Sequence, residues 1–502
     1  MNVDWHAFLP EAIVAGTVIL LLLVDLILPN RSKWTLGGIT ALGLLAAAVP
    51  IATLAADFAD GGENRVFFAD GYVVDELSLV LKGFFLASGY VALLLAYNTI
   101  EEGAYYRGEF YFLLVSAVLG MMMIASVRDL IGLFIAFELF SAPGYLLAAW
   151  KKYDLKSNES GMKYFLMGVT ATAIMLYGMS LLYGATGTLT YSGLMEVLPG
   201  VLDGDTSSLA ILGIVLVIAS FAFKVSAVPF HFWAPDTYEG APTPVAAFFS
   251  VAVKGAGFMG LVSLIFFALP AGDDVWRPMI WVIAALTMTI GNLIALRQEN
   301  IVRLLAYSSI AQSGYILAPL TVAALPDGEG FGPGHTESLQ AVVIYLLVYA
   351  VMNFGAFGVV IAVARRTHSG HLDSYDGLFA HAPSLAVVMT MFLAALAGIP
   401  PLAGWLGKLA VFTALISADE VWGYLLAVIV AVNAVIAAFY YMRVVRKMFA
   451  EEAPEEYLVL PPLQPTPSLQ FTLGGLTLLV LAAGVTPMFS HLSEIATNSL
   501  SL

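Results

Sequence analysis

The sequence contains no cysteine. That absence removes thiolate ligation of iron–sulfur clusters or zinc, disulfides and thiol catalysis together. Charge is almost as scarce: Asp, Glu, Lys and Arg make up 11% of the 502 residues, against 60% hydrophobic. Soluble domains carry about 25% charged residues. With a mean hydropathy of +0.88, the chain reads as an integral membrane protein in contact with the lipid bilayer. Nucleotide signatures are missing as well, with no GxGxxG after a strand and no GxxxxGK[ST]. The seven histidines, at 6, 231, 335, 368, 371, 381 and 491, form no pair inside an apolar helix, so no membrane haem is expected. No cofactor or metal is expected on this chain, and redox work belongs to other chains. The net charge of −15 reads as acidic loops on one side of a membrane, with no nucleic-acid partner.

A membrane-spanning helix needs about 20 mostly apolar residues. Hydropathy places spans near 10–28, 35–56, 74–99, 110–126, 128–150, 160–184, 208–229, 242–269, 275–296, 301–324, 338–364, 383–417, 421–447 and 469–490. The fold class expected is therefore an all-α polytopic membrane protein of about fourteen transmembrane helices. The 383–417 stretch is too long for one straight crossing and contains Gly398, Pro400, Pro401 and Gly404, so it reads as one broken helix. The connections around 57–73 and 186–207 read as acidic or polar outer loops. Most Lys and Arg, among them Arg31, Lys33 and Arg107, follow odd-numbered spans. Only Arg65, Arg128 and Arg277 follow even-numbered ones. The positive-inside rule makes the odd side cytoplasmic and puts both termini outside. No basic residue precedes the first apolar stretch, so it reads as a retained helix rather than a signal peptide.

Four ionisable residues fall near mid-membrane: Glu138, Lys224, Lys254 and Lys408. Each costs about 2.5–3.5 kcal/mol at that depth on insertion scales unless it is paired or hydrated. A single Glu–Lys pair gluing helices together leaves two lysines without a carboxylate. The pattern instead points to a proton or ion path, in which Glu138 pairs with Lys224. Lys224 lies just before Pro229, and Lys408 lies just after Pro400–Pro401. Paired interruptions of this kind mark transporters built on inverted repeats. His231 either joins the relay or caps the broken helix. Lys82 is near enough to the outer interface to snorkel, and Asp25 lies near the inner end of its span.

The run FKVSAVPFHFWAPDTYEGAPTPVAAFFS, with KYFLMG at 163–168, RLLAYSSIAQSGY at 303–315 and GIPPLAGWLGK at 398–408, resembles the antiporter-like membrane subunits of respiratory complex I. These are relatives of the Mrp cation/proton antiporters, and the resemblance spans roughly residues 110–450. Length, span count and the short stretch after the last span resemble the subunit N branch, the counterpart of mitochondrial subunit 2. Lys408, where subunit M carries glutamate, agrees with that branch. The resemblance implies two inverted five-helix repeats, at 110–270 and 271–450, each with a broken helix. A three-helix segment at 1–109 precedes them, and a last helix at 451–502 follows. It implies a translocase subunit of NADH:quinone oxidoreductase in a bacterial inner membrane, with Glu138, Lys224, Lys254, Lys408 and His231 as a proton relay. FMN, iron–sulfur clusters and quinone would sit in partner subunits, and subunits M, K, J and A would be neighbours. An Mrp-type antiporter subunit is the alternative. A non-transporting scaffold, or a membrane hydrogenase or plastoquinone-linked subunit, are further readings. Gln312 departs from the pattern, because many relatives have histidine there and an amide does not titrate at neutral pH. Trp405 replaces a usual phenylalanine.

Overall fold

The computed structural model describes residues 4–28, 35–102, 107–323, 333–454 and 463–498. Arg31 and Lys33 lie outside these residues, as does the side chain of Arg107. Twelve helices are long and apolar enough to cross a membrane. In chain order the elements begin with α1 (Trp5–Ile27), α2 (Thr35–Ala59) and a two-stranded hairpin of β1 (Arg65–Phe67) and β2 (Tyr72–Val74). Next come α3 (Glu76–Glu102), α4 (Arg107–Ser126), α5 (Leu130–Ala148), α6 (Leu155–Thr186), a short α7 (Tyr191–Leu202), α8 (Ser207–Lys224) and α9 (Trp233–Gly240). They are followed by α10 (Thr243–Phe267), α11 (Asp273–Ala295), α12 (Ile301–Leu317) and α13 (Pro333–Thr367). The last are α14 (Pro383–Ala397), α15 (Ala403–Ser417), α16 (Val421–Ala450), α17 (Pro467–Val485) and α18 (Met488–Asn498). The broken pair α14/α15 and the 17-residue α12 complete fourteen crossings.

The outer connections differ from the loops expected. The 57–73 stretch contains the β1–β2 hairpin, and 186–207 contains α7, started by Thr190, whose hydroxyl accepts from Gly193 N. Span seven also stops earlier than hydropathy suggests, because α8 ends at Lys224 rather than near residue 229.

One local design occurs twice. Asp129 caps α5 and Asn300 caps α12, each accepting backbone N–H groups of the first turn. Asp129 bridges to Thr190 just as Asn300 bridges to His371. Leu130 N bonds Leu189 O at 2.9 Å, and Ile301 N bonds Gly370 O at 2.8 Å. Just beyond α6 and α13, the chain takes a positive φ at Gly187 (72°) and His368 (49°). Five crossings separate the two copies, so they run through the membrane in opposite senses.

α10 and α13 are apolar on every face and almost wholly buried, which places them at the centre. α1, α2, α16 and α17 turn Leu20, Leu22, Leu42, Val428, Phe439 and Phe471 outward, where lipid tails meet them.

Lys82 does not snorkel. It is fully buried, and its ammonium lies 2.8 Å from Glu11, with Tyr72 OH donating to the same carboxylate at 2.8 Å. The pair joins α1 to α3. Removing one partner of a buried ion pair costs about 3–5 kcal/mol, whereas replacing both is often neutral. Lys82→Met should therefore lower the thermal unfolding midpoint in detergent well below that of the Glu11→Gln/Lys82→Met double variant. Equal losses would exclude the pair as the cause. Asp25 packs against Gly108, where a side chain would collide with its carboxylate.

Candidate functional site

The first break begins where α8 stops. Ser226 takes φ 58°, Pro229 has no N–H to continue the helix, and Val228 N is captured by Thr287 Oγ1 of α11 at 2.9 Å. Lys224 thus sits at a helix C-terminus, where exposed carbonyl dipoles favour a cation. Its Nζ donates to Ser141 Oγ of α5 at 2.7 Å and to Tyr164 OH of α6 at 3.2 Å. The rings of Phe140 and Phe137 lie under it at 4.6 and 5.0 Å.

The expected Glu138–Lys224 ion pair is absent among the described residues. Glu138 is half-buried one turn before Ser141 on α5, and it accepts a 2.7 Å hydrogen bond from Thr172. Serine and tyrosine hydroxyls, rather than the carboxylate, fill the contact positions around the ammonium. Glu138 acts on Lys224 through its charge, from beyond hydrogen-bonding range.

Lys254 follows a π-helical turn, Phe249–Val253, inside α10. Such turns widen a helix and often mark functional positions. Its Nζ donates to Ser309 O at 2.9 Å, Ser309 Oγ at 2.7 Å and Ser313 Oγ at 3.3 Å, all on α12. On the same helix, Gly257 packs against the Lys224 stem, with a Cβ there falling 3.1 Å from Lys224 Cγ. One face of α10 therefore meets both lysines.

The second break leaves the last four carbonyls of α14 without helical partners, as every helix end does. All four are satisfied. Ala394 O accepts from Gly398 and Ile399 N, Ala395 O from Gly398 N, Leu396 O from Gln312 Nε2 at 3.3 Å, and Ala397 O from Lys408 Nζ at 2.6 Å. Lys408 also lies over the Tyr315 ring at 5.2 Å. His231 is buried, with Nδ1 lacking a hydrogen-bond partner, and its carbonyl, not its ring, receives Ala234 N at the start of α9.

Residues 127–436 match the family described as NADH:quinone oxidoreductase/Mrp antiporter, transmembrane. The chain belongs to that family. It is 36% identical over 91% of its length, and 90% of the relative's, to NADH-quinone oxidoreductase subunit N of Trichlorobacter lovleyi. It is 40% identical to the subunit N of Rubrobacter xylanophilus, over 90% of each chain. A chain of respiratory complex I from Thermus thermophilus superimposes with TM-score 0.76 at 30% identity, over 95% of this chain and 97% of that one. A chain of the Mrp complex from Dietzia shares the fold alone, at TM-score 0.84 and 20% identity over 99% and 98%.

Within this family member, Gln312 lies between Lys254 and Lys408. Its Oε1 accepts from Tyr345 OH at 2.5 Å, and its Nε2 reaches Tyr441 OH as well as Leu396 O, both at 3.3 Å. Tyr441 OH in turn meets Ser308 Oγ at 2.5 Å. Gln312→Leu strands three buried polar groups at about 1–3 kcal/mol each. It should lower both stability and pumping, whereas Gln312→His, which keeps a donor and an acceptor, should retain both. Equal behaviour of the two variants in proton-pumping assays would contradict this.

The hydroxyl ligands Ser141, Tyr164, Ser309 and Ser313 were not singled out by sequence reasoning. Their signal was available in spacing: Ser141 stands three residues after Glu138, and Ser309 and Ser313 share one face of α12. Trp405, by contrast, is 41% exposed on the outer surface, away from these ligands. Among the described residues there is no cluster of three or more His, Asp or Glu able to hold a metal.

Proposed function

We propose that this chain is the proton-translocating subunit N of a bacterial NADH:quinone oxidoreductase, with Glu138, Lys224, Lys254, Lys408 and His231 forming the relay. One observation carries this reading. Three lysines lie buried within membrane thickness, and each is held by hydroxyls and carbonyls with no carboxylate in contact. A lysine so held gains little from a fixed counter-charge, so modest electrostatic change switches it between holding and releasing a proton.

In this mechanism a proton taken up from the cytoplasmic side loads the lysines. The charge of Glu138 favours the ammonium form of Lys224. Quinone reduction in neighbouring subunits shifts Glu138 or the charge near it, and the proton moves from Lys224 towards Lys254 and Lys408. Coupling of this kind requires two states with different proton affinity. Moving one charge across 100 mV costs about 2.3 kcal/mol, and one pKa unit is worth about 1.36 kcal/mol, so shifts of roughly two to four units meet the need. Ser226 Oγ, His231 Nδ1, Tyr238 OH, Tyr349 OH and Asn353 Oδ1 are buried without protein partners. They supply polar sites for bridging water along the path.

The repeats are assigned to 110–270 and 271–450, flanked by a three-helix segment at 1–109 and a final segment at 451–502. FMN, iron–sulfur clusters and quinone are assigned to partner subunits, with no redox centre on this chain. Subunit M on one side and the small subunits K, J and A are the proposed neighbours. Both termini are assigned to the outer face, from the distribution of basic residues.

Affinity purification of this chain from its native membranes tests the assignment. Co-purification of a flavin- and iron–sulfur-containing assembly with NADH:quinone activity supports it. A redox-free assembly of membrane subunits showing sodium/proton exchange would replace it with the Mrp-type reading, for which the shared fold is the favouring observation.

A further inference from the structure

The half-helix α9 touches the ligands of two lysines at once. At one end of the axis, Asp236 accepts from Lys163 of α6 at 2.7 Å and from Arg303 of α12 at 2.9 Å. Glu239 accepts from the same Arg303 at 2.8 Å and lies 3.5 Å from Lys156 of α6. Glu159 completes the group, 2.7 Å from Lys163. Between α6 and α9 the backbones nearly touch: Ser160 Oγ donates to Thr237 O at 3.0 Å, and a Cβ on Gly240 would fall 2.5 Å from Lys156 O.

The other face of α9 reaches the lysines. Trp233, one turn before Asp236, stacks on Tyr164 with centroids 4.5 Å apart and an interplanar angle of 11°. Its Nε1 donates to Phe223 O at the end of α8. Tyr164 is the residue next to Lys163, and its hydroxyl receives Lys224. Tyr238, two residues after Asp236, places its ring 6.0 Å from the Lys254 ammonium. Arg303 lies on α12, the helix whose Ser309 and Ser313 hold Lys254. Polar rungs and aromatic rungs therefore alternate along one short helix.

We propose that Asp236 is a positioning residue for proton transfer: by clamping Lys163 and Arg303 together, it holds α9 as a crossbar that keeps Tyr164 on Lys224 and Ser309 on Lys254. The proposal rests on the relay reading given above. Lys163 and Tyr164 belong to the first repeat, and Arg303 and Ser309 to the second, so the crossbar ties the two lysine sites across the repeat boundary. A partly exposed ion pair contributes little to stability by itself. Geometry is what the clamp supplies, through charge-assisted hydrogen bonds that are shorter and more directional than neutral ones.

The test uses the intact complex in native membranes, with Lys224→Ala as the benchmark for loss of pumping. Asp236→Asn keeps the shape and removes the charge. It is expected to assemble, to reduce quinone when uncoupler is present, and to lose most of the pumping that Lys224→Ala loses. Asp236→Glu restores the carboxylate and is expected to pump like the unaltered chain. Combining Asp236→Asn with Trp233→Phe should add little further loss, because both act through one element. Should Asp236→Asn fail to assemble, Glu239→Gln decides on the same readout, since it leaves Asp236 in place and frees one side of Arg303.

Normal pumping in the assembled charge-removed variant, no rescue by glutamate, or strictly additive losses with Trp233→Phe would each overturn the crossbar. Full pumping in Lys224→Ala would instead overturn the relay reading beneath it.

Discussion

Gly398→Ala is expected to leave the complex assembled and oxidising NADH while proton pumping stops at Lys408. Two effects meet at this position. Gly398 has φ 87°, a conformation that costs residues with a Cβ about 1–2 kcal/mol. An added Cβ would also fall 2.7 Å from Lys408 Cδ and 3.2 Å from its Nζ, where the ammonium bonds Ala397 O. The lysine stem is flexible, so it yields before the backbone does, and the 2.6 Å bond is what is lost. Two other glycines bracket the result. A side chain at Gly404 would strike the backbone carbonyl of Ala395, which cannot retreat, so Gly404→Ala should fail to accumulate. Gly184 faces open space on the outer surface of α6, so alanine there should be neutral or slightly stabilising. Membrane abundance and proton pumping at matched NADH turnover separate the three outcomes. A pumping Gly398→Ala variant would show that the Lys408–Ala397 contact is dispensable.

Lys224→Ala is expected to abolish coupled pumping, and Lys224→Arg to do nearly the same. The alanine variant removes an ammonium bonded to Ser141 and Tyr164 and lying over Phe137 and Phe140. By itself it does not separate a lost proton carrier from lost packing. Arginine keeps a positive charge, a long stem and hydrogen-bond donors, but it stays protonated in proteins. Under the relay account, retaining charge without exchange is not enough. A Lys224→Arg variant that pumps normally would mean Lys224 serves as a fixed charge. Glu138→Gln provides the complementary case. Because Glu138 contacts Thr172 and not Lys224, its amide analogue keeps the local hydrogen bond and removes only the long-range field. Pumping should weaken while assembly is unaffected, as blue-native electrophoresis and proton uptake would record.

The helices were largely legible because a bilayer imposes length and composition on each of them, and the break at 398–402 was legible because Gly398 and two prolines interrupt an overlong apolar run. The ionisable residues stood out for the same reason: a lysine amid leucine and valine is costly enough to be conspicuous. Their partners were not legible. Lys82 meets Glu11, Lys224 meets Ser141 and Tyr164, and Lys254 meets Ser309 and Ser313, all from helices distant in sequence. Hydropathy marks where a charge is costly without saying what offsets the cost. Pairing by charge alone matched Glu138 to Lys224, where packing supplies neutral hydroxyls. The π turn before Lys254 left no signature, since FSVAV is as apolar as the turns around it. α7 was hidden because Gly193, Pro199 and Gly200 punctuate it like a loop, although Thr190 caps it.

The central claim is that protons cross the membrane along the lysines of this chain. Its most direct test is the number of protons pumped per electron by the purified complex in liposomes, comparing the unaltered chain with Lys254→Met. Lys254 is the middle member of the relay, and methionine matches its length while removing the exchangeable group. The account predicts quinone reduction that persists with uncoupler present but no longer moves the protons this subunit carries. An unchanged proton-to-electron ratio in the assembled variant would contradict it.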